Sequence, residues 1–150
     1  SALADKFGVT LLRGAELEPD VGHVLVYGVP PLADEFGFTD VSLPHDKLFT
    51  RVRELGGFAV GAHAGRPRIG LAAHVGENGV SPAVETVEQL NGTYGLRRVG
   101  GSDAHYVSAI GRCLTAFPRP VRTIPELVEA LVEGDHYPVR VEDTVAPEGA

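Results

Sequence analysis

Short apolar runs alternate with amphipathic helical stretches along this 150-residue chain, and that alternation restricts the fold more than any other feature. An apolar run too short for a helix, and rich in branched or aromatic residues, reads as a strand. Val9-Thr10-Leu11-Leu12 and His23-Val24-Leu25-Val26-Tyr27 both qualify, and Pro30-Pro31 stops the second. Leu48, Phe49, Val52 and Leu55 then recur at helical spacing, with Gly56-Gly57 as the stop. Phe58-Ala59-Val60-Gly61-Ala62 follows as a strand ending at His63. The strongest local signals surround a helix over Ile124–Glu133. Thr123 can cap it, Glu126 completes a capping box, and Leu127, Val128, Leu131 and Val132 form a stripe before Gly134. Val139–Val141 reads as a last short strand, while Ala83–Leu90 fits either a helix or a strand entering a turn. Strands alternating with helices predict an α/β fold made of βα units with parallel strands.

Composition narrows the functional classes. A hydrophobic fraction of 43% with 22% charged residues is that of a soluble globular domain. No apolar run reaches the roughly 20 residues that span a bilayer, so no membrane partner is expected. The lone Cys113 cannot form an internal disulfide, which fits a reducing cytoplasm, and it reads as a small core residue rather than a nucleophile. Thirteen basic against 20 acidic residues give a net charge of −7, which argues against a long nucleic acid as partner. Ser1–Lys6 has no basic-then-apolar leader, and the absence of Met predicts that the chain continues upstream. No P-loop, dinucleotide fingerprint or G-x-S-x-G elbow occurs, leaving hydride transfer and nucleotide-driven chemistry unsupported.

Ionisable residues cluster at the ends of the predicted strands, where α/β folds place their sites. Glu16 follows the first, His23 opens the second, His63 closes the third, and Asp103 and His105 stand in Gly100-Gly101-Ser102-Asp103-Ala104-His105. Neutral imidazoles together with carboxylates suit Zn²⁺, Mn²⁺ or Fe, and the lack of a cysteine cluster argues against a thiolate zinc site. Asp103 and His105 are two apart, so an extended backbone would point both side chains the same way. Parallel strands present equivalent ends on one side, so Glu16, His23 and His63 are expected to converge there. A lone histidine at a strand end is more often a hydrogen-bonded surface residue, and Asp103 could instead cap a helix. His45, His74 and His136 are weaker candidates, the first expected at an exposed helix start and the last in a loop.

Taken in order, Gly14-Ala15-Glu16, Gly22-His23, Ala62-His63 with Arg66-Pro67, Val84-Glu85 with Asn91-Gly92, and Gly101-Ser102-Asp103-Ala104-His105 resemble the PHP family (polymerase and histidinol phosphatase). Ile110–Phe117 and Thr123–Leu127 are similar to that family's C-terminal end. The resemblance implies a distorted seven-stranded β/α barrel with two or three metal ions at its mouth, acting as a phosphoester hydrolase. It implies one shared metal for Glu16, His23 and His63, with Asp103 and His105 serving the neighbouring metals. Three departures stand out. The family's opening His-x-His strand, and the ligands just after it, have no counterpart. The stretch from Asn91 to Asp103 is short, and Ala64 replaces a common proline. The expectation is therefore an incomplete barrel: residues 1–144 as the C-terminal part of a PHP-like domain, and 145–150 as a flexible tail. The implied activity is metal-dependent hydrolysis of a phosphoester on a small metabolite or nucleotide, through a metal-activated water. Arg66 is the expected substrate contact, because a guanidinium can hold two phosphate oxygens. The alternative is a non-catalytic regulatory or assembly module that retains the fold.

Overall fold

The computed structural model describes residues 2–29, 44–71 and 97–141. After a short N-terminal helix α1 (Ala2–Lys6) come the strands β1 (Gly14–Leu17) and β2 (Val24–Tyr27), the helix α2 (His45–Glu54) and the strand β3 (Phe58–Gly61). A 3₁₀ turn at Val107–Ala109 precedes β4 (Cys113–Ala116), α3 (Ile124–Glu133) and β5 (Tyr137–Arg140).

The strands pair as a three-stranded sheet in the order β1-β2-β3 and a two-stranded sheet β4-β5. Among the described residues every pairing is antiparallel, which corrects the parallel expectation for these strands. Residues 18–23 are too few for a parallel crossover, which needs about a dozen or more residues, and can only turn the chain back. Even with α2 in between, β3 returns antiparallel to β2. Mixed helix and strand is therefore the observed class, and no barrel closes among the described residues.

The first strand also lies later than its β-propensity suggested. Val9 and Leu11 are 52% and 69% exposed, and β1 starts only at Gly14. Pairing decides this: Gly14 faces Tyr27, and a Cβ at Gly14 would stand 2.8 Å from the tyrosine ring. The last strand shifts likewise, to Tyr137–Arg140, because its partner is Cys113–Ala116. Cys113 is half-buried within that pair.

Alternation along β2 sorts the sheet into two faces. Val24 and Val26 are buried and pack with Val21, Leu48 and Val52, while Leu17, Val29, Phe49, Ala59 and Leu71 close around them. Leu48 and Val52 are four apart, so α2 lays one face on the sheet. Its first turn is capped from outside. Pro44 offers no side-chain cap, but Asp20 Oδ1 accepts the backbone N–H of His45 at 2.8 Å and lies 3.0 Å from its Nδ1. His45 is thus paired rather than free at an exposed helix start.

Helix α3 has the predicted bounds and caps. Thr123 accepts from the Glu126 N–H, Glu126 accepts from the backbone of Thr123 and Arg122, and Gly134 ends the helix at φ 77°. Ala130 and Leu131 are its buried residues, whereas Val132 is 63% exposed and leaves the expected stripe. Arg97 donates to the terminal carbonyls of Val132 and Glu133, a cation where the helix dipole favours one. His136 is buried beyond this end, near the Ala130 carbonyl and the ring of Phe117.

Thr123→Ala is expected to cost about 1 kcal/mol, read as a lower urea midpoint. The Arg122 N–H, and then Thr123, hold the Glu126 carboxyl below its ordinary range. A lowered folded value means the box contributes above the unfolded carboxylate range, about pH 4.3, and is lost as pH falls through the folded value. Helical circular dichroism of the native chain and Glu126→Gln should therefore converge only in acid.

Candidate metal centre

Antiparallel pairing brings the end of β1, the start of β2 and the end of β3 to one edge, since Val24 faces both Leu17 and Gly61. Glu16 sits one residue before that edge on β1, opposite Leu25. His23 directly precedes β2, swung into place by Gly22 at φ 82°. Its backbone is clamped on both sides: its N–H donates to the Ile69 carbonyl and its carbonyl accepts from the Ala62 N–H, each at 2.9 Å. His63 lies two residues past β3 at φ 32°, an unusual value for a non-glycine residue. A tight turn holds it there. Arg66 N–H donates to the His63 carbonyl and Gly70 N–H to the Arg66 carbonyl, both at 2.8 Å. A Cβ at Gly70 would stand 2.6–2.7 Å from the Ala64 and Arg66 backbone, so only glycine fits this turn unaltered.

Three side-chain atoms then meet. His23 Nδ1 is 2.9 Å from Glu16 Oε1 and 3.1 Å from His63 Nε2, and the last two atoms are 3.4 Å apart. The rings stand edge to face with centroids 4.8 Å apart. Ligand atoms about 2.0–2.2 Å from one ion at a tetrahedral angle lie roughly 3.3–3.6 Å apart, so these edges match or slightly undercut a metal polyhedron. Exposure rises from 15% at the His63 side chain through 25% at His23 to 43% at Glu16, leaving the carboxylate side open to solvent.

Hydrogen bonding alone satisfies this group badly. His63 Nδ1 is buried with no hydrogen-bond partner among the described residues. With its proton on Nδ1, that buried N–H has no acceptor. With the proton on Nε2, it must compete with His23 for Glu16. A cation accepting the lone pairs of both imidazoles and Glu16 relieves the crowding at the centre while leaving the proton on His63 Nδ1, and two imidazoles with a carboxylate are donor types that fit a divalent metal. Glu16 also acts on Tyr27, whose phenol is pushed up, first by burial and then by this carboxylate's charge.

Asp103, His105 and Arg66 form a second group. The convergent set among the described residues is Glu16, His23 and His63, without Asp103 or His105. Asp103 Oδ2 instead accepts from Arg66 Nη2 at 3.3 Å, joining its loop to the turn that carries His63. The Asp103 backbone is left-handed at φ 46°, so the segment is bent rather than extended. His105 Nδ1 lies 2.9 Å from the Asp103 carbonyl and 3.9 Å from its carboxylate. Its side chain is 74% exposed. Asp103 does not cap the 3₁₀ turn, whose first flanking residue is Tyr106. The loop is anchored through Thr115, whose hydroxyl donates to the Gly100 carbonyl at 2.8 Å and accepts its N–H at 2.9 Å. His74 and Glu85 fall outside the described residues.

Sequence reasoning missed Glu18, whose Oε1 lies 3.8 Å from His23 Nε2. Its signal was the spacing of two from Glu16, which returns a side chain to the same side of an extended chain.

Residues 83–136 match the family model PHP_C, PHP-associated. The PHP resemblance read from the sequence is thus met over a little more than a third of the chain. This PHP-associated region holds Asp103, His105, β4 and α3, while Glu16, His23, His63 and Arg66 precede it. No curated protein and no solved structure matches the chain. Among the described residues no helix is long and apolar enough to cross a membrane.

Proposed function

We propose that this chain is part of a PHP-type, metal-dependent phosphoesterase acting on a small phosphorylated metabolite or nucleotide. The observation that carries this reading is the meeting of Glu16, His23 and His63 within 3.4 Å of one another, beside a PHP-associated region. A bound Zn²⁺, Mn²⁺ or Fe ion supplies Lewis acidity and lowers the pKa of water to roughly 7 in the zinc case. Glu16 offsets part of the ion's charge and, as the most exposed of the three, marks the side from which substrate arrives. His23 and His63 hold neutral nitrogens in place through their clamped backbones.

Arg66 lies three residues past His63 with its side chain half exposed, placed to take two phosphate oxygens. Asp103 holds this guanidinium while no anion is bound. We carry Asp103 and His105 as ligands of the two neighbouring ions, and recruiting Asp103 there requires breaking its pair with Arg66. That same pair favours a second reading, a non-catalytic module in which both groups satisfy each other.

The test assays an aryl phosphate with added Mn²⁺ or Zn²⁺ on the 150-residue chain, on an upstream-extended form and on Asp103→Ala. One three-ligand site can serve only part of phosphoryl hydrolysis, so the chain alone should turn over little and the extended form should recover activity. Metal binding without hydrolysis in either form would establish the module instead. Brisk, Asp103-dependent hydrolysis by the 150-residue chain would overturn the expectation that its ligand set is too incomplete for turnover.

A further inference from the structure

We propose that Glu18 is a positioning residue that fixes His23 in its metal-binding tautomer, an inference that rests on the metal site proposed above. His23 is flanked by two carboxylates, one at each ring nitrogen. Glu16 Oε1 is 2.9 Å from Nδ1, a hydrogen-bond distance, and Glu18 Oε1 is 3.8 Å from Nε2, an ion-pair distance. The Glu18 side chain is 60% exposed, so no tight packing opposes the movement of about 1 Å that closes a hydrogen bond.

A neutral imidazole has one proton and can place it on either nitrogen. To offer Nδ1 as a ligand, His23 must keep that proton on Nε2, the nitrogen that faces Glu18. Metal-bound histidines regularly donate their other N–H to a carboxylate, which sets both tautomer and ring orientation. The two histidines differ in this respect. His63 Nδ1 is buried and has no hydrogen-bond partner among the described residues, whereas His23 has a carboxylate waiting. Of the two histidines, His23 is the one with a carboxylate near its outer ring nitrogen, and Glu18 supplies it. Glu18 also adds a second negative charge behind the ligand set, which favours a divalent over a monovalent ion.

Zinc affinity, measured by competition with a chromophoric chelator on the full chain, tests the assignment. Glu18→Ala is expected to weaken binding by about 10–100-fold. Glu18→Gln should restore most of that loss, because its amide oxygen still accepts from Nε2–H. Histidine ring ¹⁵N spectra of the zinc-loaded chain should show His23 protonated at Nε2, with faster proton exchange in Glu18→Ala. Unchanged affinity and exchange in Glu18→Ala overturn the positioning role and leave the metal site standing. A Gln variant as weak as Ala also overturns it, since charge alone would then explain the loss. If the unaltered chain binds no zinc, the site reading and the role of Glu18 fall together.

Discussion

His63→Ala should reduce zinc bound by the purified chain from about one equivalent to none, and abolish zinc-induced thermal stabilisation. The native chain at a zinc concentration of about 100 times its Kd gains roughly 2.7 kcal/mol by mass action, a shift easily read by calorimetry. The metal-free chain should respond differently. His63 has a buried Nδ1 without a hydrogen-bond partner among the described residues, and removing such a group relieves a desolvation cost. Metal-free His63→Ala is therefore expected to melt at or slightly above the native temperature. A variant that melts much lower without metal, yet retains its zinc, would mark His63 as a packing residue.

Leu48→Ala should be the most destabilising single change in the described core, by about 2–5 kcal/mol in urea unfolding. Leu48 is 0% exposed and packs with Val24, Val26 and Val52, where α2 meets the sheet. A typical domain has about 5–15 kcal/mol in total, so much of the chain's stability is at stake. Val132→Ala is the matched control. That side chain is 63% exposed, and its loss should move stability by no more than about 0.5 kcal/mol. A Leu48 variant as stable as this control would mean that α2 does not rest on the sheet as described.

The elements differ in how much of them could be read in advance. Helix α3 was legible to the residue, because its caps act within a few positions: Thr123 with Glu126 at one end, Gly134 at the other. The helix α2 was legible as a helix, but its cap was not. Asp20 reaches it across 25 positions of sequence, and no local pattern announces such a partner. The propensity of Val9–Leu12 does not locate β1, which forms at Gly14–Leu17, because β-propensity describes a residue's fit to a half-buried surface and the partner strand supplies that surface.

For the site, residue chemistry was legible and residue geometry was not. The sequence determined by itself that Glu16, His23, His63, Asp103 and His105 are metal-ligand types flanking short apolar runs, and that their order resembles a PHP pattern. Parallel strands were expected to bring the first three together, yet His23 opens its strand while Glu16 and His63 lie near the ends of theirs. Only antiparallel neighbours place a start beside two ends, and that is the arrangement formed. The tertiary structure alone decided that Asp103 meets Arg66 and that Glu18 stands behind His23. The physical reason is range. Capping and periodicity act over one or two turns of chain, whereas strand pairing and ion pairs depend on which distant segments the core brings into register.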